Sequence, residues 1–177
     1  MRSEIVHIDN QGCGFKQALE ETARLAWHAG LNSKQSLQLR LCTEEMLSLA
    51  KSVTGEMEAS FYLACEGKAF DLHMKTKAVL DKEKRQQLIA SSSSRRNEAA
   101  NSFLGMLRDA FERAMAAEAD HTYYELPEEL AGDVSGKYAE EQEWDRYERS
   151  ILRRVADDVK IAIRGGVVEM TVAKSFN

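Results

Sequence analysis

Apolar residues recur at spacings of three and four between about Asn32 and Val53, where Leu39, Cys42, Met46, Leu49, Ala50 and Val53 make one continuous stripe. That period predicts a long amphipathic helix with its stripe against a core. One position round from the stripe lie Leu41, Glu45 and Ser48, so a carboxylate can face a cleft while packing fixes its helix. Upstream, Leu19, Thr22, Ala23, Ala26 and Trp27 predict a helix over Phe15 to His28, with Trp27 and Phe15 as packing aromatics. Gly30 is placed to end it, and Asn32 or Ser33 to cap the next.

Alternation of apolar and polar residues marks the strands. Ser3 to Asp9 predicts an opening strand, and Met57 to Cys65 and Phe70 to about Val79 predict a pair joined at Glu66-Gly67-Lys68. In the second of the pair, Phe70, Leu72, Met74 and Thr76 share one face, and Asp71, His73, Lys75 and Lys77 the other, with His73 read as an exposed histidine. Val159, Ile161 and Ile163 alternate, Gly165-Gly166 turns, and Val168, Met170 and Val172 alternate back, which is the clearest hairpin signal in the chain. Between these blocks Asp81 can cap a short helix to about Ala90, Ser91 to Ser94 read as a flexible joint, and Glu98 to Ala117 and Glu143 to Val155 read as helices. The expected architecture is α+β: a two-layer sandwich with a mixed, mostly antiparallel sheet of four to five strands and helices on one face.

The 177 residues suit one domain with an insertion at about 82–139. The net charge of −5 argues against a nucleic-acid partner, whose phosphates would be repelled at long range. Charge is uneven, however: Glu118 to Glu148 is strongly acidic, whereas Lys82, Lys84, Arg85, Arg95 and Arg96 form a basic stretch. Cys13, Cys42 and Cys65 show no CxxC spacing, so neither a zinc site nor a disulfide framework is expected. With no charged-then-apolar leader and no apolar run near the roughly 20 residues that cross a bilayer, the expected location is the cytoplasm, away from membranes.

Two stretches carry a family resemblance. Leu39-Arg-Leu-Cys-Thr-Glu-Glu-Met-Leu-Ser-Leu-Ala50 and the helix-plus-hairpin Tyr147 to Lys174 resemble the first motif helix and the closing elements of the GHKL superfamily (gyrase, heat-shock chaperone, histidine-kinase and mismatch-repair ATPases). The likeness is nearest to bacterial anti-sigma-factor serine kinases, and it covers most of the chain outside about Lys82 to Ala139. It implies the histidine-kinase-type ATPase fold, ATP with magnesium as cofactor, and a role in signalling and transcription regulation in bacteria.

By that resemblance Glu45 is the candidate catalytic residue, a general base activating a water or hydroxyl. The asparagine that holds magnesium in the family falls on Leu49, and a one-residue shift pairs Glu44 with Ser48. The aspartate that reads adenine falls at Thr76 or Lys77, in a stretch to Lys84 that contains no glycine; Asp81 is the nearest acid. The glycine-rich lid falls on Ser91 to Gly105, which has Gly105 alone, with Arg95, Arg96 and Asn97 available to touch phosphate. The implied pocket positions are therefore Ser48, Thr76, Lys77, Arg95 and Arg96, and no metal ligand is identified.

Three readings follow. One is a regulatory module of anti-sigma-factor type that has lost ATP turnover and works by contact with a sigma-factor or anti-anti-sigma partner. Another is a divergent ATP-dependent serine protein kinase using Glu45. The third is a dimeric structural protein with Trp27 or Trp144 at its interface.

Overall fold

The computed structural model describes residues 1–9, 11–54, 58–100 and 151–177. Three helices, α1 (Phe15–His28), α2 (Ser33–Thr54) and α3 (Lys82–Ser91), accompany five strands: β1 (Val6–Ile8), β2 (Ala59–Glu66), β3 (Ala69–Lys77), β4 (Asp158–Arg164) and β5 (Val167–Ser175). The strands form one open sheet in the order β1-β2-β3-β5-β4, and each neighbouring pair is antiparallel. This is the expected two-layer α+β arrangement. Of the helix expected over Glu98–Ala117, Glu98–Ala100 is described, as a single 3-10 turn. The acidic stretch at 120–139 and residues 143–150 lie outside the described residues, and 151–155 are helical.

Local chemistry accounts for the boundaries. Gly30 takes φ 67° and its amide closes on the Trp27 carbonyl, ending α1. Asn32 and Gln35 then cap α2 reciprocally: the Asn32 side chain accepts from the Gln35 amide at 2.9 Å, and the Gln35 side chain accepts from the Asn32 amide at 3.0 Å. Asp81 caps α3 by accepting from the Lys84 amide at 2.7 Å. Gly165 and Gly166 both have positive φ, 56° and 74°, as a type I′ hairpin requires.

One face of every strand is buried. Val6 and Ile8, Phe61 and Leu63, Leu72 and Met74, Val168, Met170 and Val172, and Val159 and Ile161 stand in register across the sheet and form the core with α1 and α2. From α2 the core takes Leu39, Cys42, Met46, Leu49 and Ala50 of the expected stripe, and Thr43 and Leu47 besides. Each fully buried side chain of Leu or Phe size stabilises the fold by about 1.5–3 kcal/mol relative to exposure.

The inward face of α1 differs from expectation. Ala18, Thr22, Leu25 and Ala26 are buried, whereas Ala23 is exposed and Trp27 is 76 % exposed, resting edge-on against His28. The small residues let α1 approach α2 closely, and the Thr22 and Thr43 hydroxyls, both buried, meet at 3.0 Å between the two helices. A tryptophan has no room in such a contact.

Both sheet edges are closed by side chains. On the β1 side, Ser3 donates its amide to the Leu63 carbonyl and accepts the Leu63 amide on Oγ, each at 2.9 Å. The pairings Arg2↔Ala64 and Val6↔Phe61 differ by one residue in register, so the chain carries a bulge between Ser3 and Val6 that narrows the regular strand to three residues. On the β4 side, Ser93 does the same to Val159, its amide donating at 2.8 Å and its Oγ accepting at 2.8 Å. Asn97 grips Ile163 four residues further along. The serines expected as a flexible joint are thus fixed: Ser91 and Ser92 are buried, and Ser93 runs beside β4 with its own hydrogen bonds.

Candidate functional site

The helix-covered side holds the expected catalytic residue. Glu45 is half-buried on α2, one turn before Leu49, which is 9 % exposed within the core. The neighbourhood of Glu45 is registered by the Cys42 thiol: burial pushes that thiol up to about 12, the Lys174 ammonium pulls it down, and the Asp157 and Glu45 carboxylates add to the rise. Lys174 donates to Asp157 Oδ1 at 2.7 Å, and the Ser175 amide donates to Oδ2 at 2.7 Å. Burial would raise the Asp157 carboxyl, yet those two donors hold it below its ordinary range. This group is a structural clamp joining the start of β4 to the end of β5.

The other implied pocket positions do not converge. Ser48 is half-buried on α2. Thr76 points to the core side of β3 and donates its hydroxyl to the Glu58 carbonyl at 3.1 Å, whereas Lys77, next in the strand, is exposed on the opposite face. Both border a cavity of about 470 Å³ at the end of β3, with Glu58 and Lys75, but their side chains leave opposite faces of the strand. Arg95, with φ 53°, and Arg96 are exposed on the segment outside β4. That segment is three strand spacings from β3, about 14 Å at roughly 4.8 Å each.

The open face of the sheet carries a second constellation. Tyr62, His73 and Thr171 stand in one row across β2, β3 and β5, and Arg2, bridged to Ala64 in the next row, reaches over to it. The Arg2 guanidinium lies 3.8 Å from the centre of the Tyr62 ring. Tyr62 and His73 stack at 4.6 Å with 18° between their planes, and Thr171 Oγ1 is 3.3 Å from His73 Nδ1. Burial lowers the His73 pKa, the Asp71 carboxylate works against that, and Arg2 adds to the lowering, leaving the net shift downward. His73 is thus half-buried in a stack, where the sequence suggested a solvated side chain. In the adjacent row Lys75 pairs with Glu169 at 2.8 Å.

A cavity of about 440 Å³ opens over these two rows, lined by Ile5, His7, Tyr62, His73, Lys75 and Thr171 among others. The bulge puts Ile5, 53 % exposed, at its rim. Among the described residues no group of three or more His, Cys, Asp or Glu is arranged to hold a metal ion, and no helix is long and apolar enough to cross a membrane. No protein-family model matches this chain, and no curated protein matches it.

Sequence reasoning missed the open-face row. The alternation placed His73 and Lys75 together on one polar face, but Arg2, Tyr62 and Thr171 join them only through the register of four separate segments. Tyr62 between apolar neighbours was the one local signal.

Proposed function

We propose that this chain is a regulatory protein-binding module of anti-sigma-factor type, built on a GHKL-like ATPase scaffold that has given up ATP turnover. The observation that carries this reading is Leu49. The resemblance puts a magnesium-holding asparagine at that position, and here an isobutyl side chain is packed into the helix–sheet core. It offers no lone pair to a cation, and without the metal the phosphate charge opposes attack.

Two further facts support it. The Thr76 hydroxyl, at the adenine-reading position, is committed to the Glu58 carbonyl. The segment that would form the phosphate lid spends Ser93 and Asn97 on holding β4. On this reading the partner is a protein of sigma-factor or anti-anti-sigma type.

The test is a thermal-melt titration with ATP and ADP, each with and without magnesium. A ligand at about 100 times its dissociation constant adds roughly 2.7 kcal/mol to the folded state, and no such shift is expected at millimolar nucleotide. A magnesium-dependent shift that disappears in Glu45→Ala would overturn the reading and favour the serine-kinase alternative. That alternative draws on one observation: Arg95 and Arg96 are exposed with no acidic partner among the described residues, and arginines clamp phosphates.

A further inference from the structure

We propose that the open face of the sheet, centred on the Arg2–Tyr62–His73 stack, is the docking surface for an extended acidic segment of a partner protein. This rests on the protein-binding reading above and puts the contact on the sheet rather than on the basic stretch at Lys82 to Arg96.

The charge distribution points to an acidic occupant. Residues 101–150 hold thirteen Asp and Glu against five Lys and Arg, so the rest of an overall acidic chain is net positive. On the open face, Lys75 and Lys160 are matched by Glu169 and Asp158, and the exposed Asp71 carboxylate stands in the row next to His73, at the end of β3 away from Lys77. Arg2 is matched only by a ring face, and Lys77 and Arg164 have no acidic partner among the described residues. Lys77 and Arg164 stand in one row, each paired with Val167 of β5. Lys77 and Arg164 thus lie at one end of the sheet and Arg2 toward the other, which suits separate carboxylates on a strand-like segment. From the Lys77 row to the His73 row is four residues of strand, about 14 Å, which four residues of extended chain would span.

The ring geometry selects protein over nucleic acid. Single-stranded nucleic acids bind sheets by stacking bases on free aromatic faces. Here one face of Tyr62 is covered by Arg2 and the other by His73, so no platform is left for a base. What the stack presents outward is its polar edge. The Tyr62 hydroxyl makes no hydrogen bond to another described residue, and His73 meets Thr171 through Nδ1. A phenolic hydroxyl donates to a carboxylate or a carbonyl. Ile5 at the cavity rim supplies an apolar anchor beside the stack, and Tyr and Arg are the residue types that carry most binding energy at protein interfaces.

The experiment uses the full chain and a fluorescein-labelled peptide of alternating glutamate and serine, about twelve residues long at roughly 3.4 Å per residue. Fluorescence anisotropy should report binding that weakens with salt. The paired reversal Lys77→Glu with Arg164→Glu should weaken it about ten-fold or more, and Tyr62→Ala should do so without a change in charge. A matched reversal on the helix layer, Lys34→Glu with Lys51→Glu, should change it less than two-fold, within the scatter of surface substitutions.

Absence of binding, equal loss in the helix-layer control, or tighter binding of an oligothymidylate of similar length each overturn the proposal. Loss confined to Lys82→Glu with Lys84→Glu would also overturn it, while leaving a protein-binding role for the basic stretch intact. Circular dichroism of each variant separates loss of binding from loss of fold.

Discussion

The side-chain amide of Asn97 takes the place of a neighbouring strand for Ile163: Nδ2 donates to the Ile163 carbonyl at 3.0 Å, and Oδ1 accepts the Ile163 amide at 2.8 Å. Asn97 is 6 % exposed and Ile163 3 % exposed, so water cannot readily replace either bond. Truncation in Asn97→Ala leaves a buried donor and acceptor unmatched, at about 1–3 kcal/mol. The melting point should fall by several degrees, at about 2–4 °C per kcal/mol for a chain of this size. Asn97→Asp turns the donor into a second acceptor facing the Ile163 carbonyl and buries a carboxylate, so near neutral pH it should be no more stable than the alanine variant in a denaturant titration.

Gly14 and Gly12 both have positive φ, 87° and 83°, but only Gly14 is hemmed in. A Cβ at Gly14 would meet the His7 carbonyl oxygen of β1, whereas one at Gly12 meets nothing within 4 Å. Gly12→Ala should cost only the left-handed strain, about 1–2 kcal/mol. Gly14→Ala should cost clearly more, because α1 must move off β1. Equal losses in urea midpoint would refute the close approach.

Stability should fall in two steps as the pH is lowered. The folded His73 pKa lies below its ordinary value of 6.5, so the unfolded chain takes up that proton first. Its contribution is complete above about pH 6.5 and is lost as the pH falls through the folded pKa. Asp157 and Glu21 are also lowered, from ordinary values of 3.8 and 4.5. Burial raises the Asp157 carboxyl, but Lys174 and the Ser175 amide outweigh it; at Glu21 the hydrogen bond from Arg24 leads the lowering. Their contributions are present above those values and lost below them. His73→Gln should remove the upper step alone and Lys174→Met should flatten the lower one, read from urea midpoints against pH.

Thiol reactivity should divide the three cysteines. Cys13 is exposed, Cys65 and Cys42 are buried, and the Cys42 thiol is pushed up to about 12 by burial. The thiolate is the reactive form. At mildly alkaline pH a disulfide reagent should titrate one thiol quickly in the folded protein and all three in denaturant. Loss of a second thiol should fall on Cys65 of β2, 9 % exposed, before Cys42, 0 % exposed; rapid loss of all three would mean that the α2 core opens.

The features legible in the sequence were those written in local chemistry. The Leu39-Cys42-Met46-Leu49-Ala50 stripe, the Asp81 cap and the Gly165-Gly166 turn each need only a few neighbouring residues to be recognised, and each is where it was expected. The face of α1 was misjudged because apolar residues lie on more than one side of that helix. The choice of Ala18, Thr22, Leu25 and Ala26 over Trp27 is made by close packing on α2, which periodicity does not contain. Ser91 to Ser94 looked flexible by composition, and their order comes from β4, whose Val159 is 66 residues downstream of Ser93.

The implied pocket positions show the same limit. Each residue type at Glu45, Ser48, Thr76, Lys77, Arg95 and Arg96 could be read in place, but whether they meet depends on strand parity and sheet order. Parity sends Thr76 and Lys77 apart, and order leaves Arg95 and Arg96 beyond β4. The open-face row has the longest reach of all, since Thr171 and His73 are 98 residues apart.

The order β1-β2-β3-β5-β4 also sets a timetable. Of the five strands, β5 is made last by the ribosome, yet it is the one that joins β3 to β4. Until Val167 to Ser175 have been synthesised, the earlier strands have two separate margins and no shared sheet. Until then the β3 edge from Ala69 to Lys77 has no strand on that side, and β4 has nothing that ties it to β3.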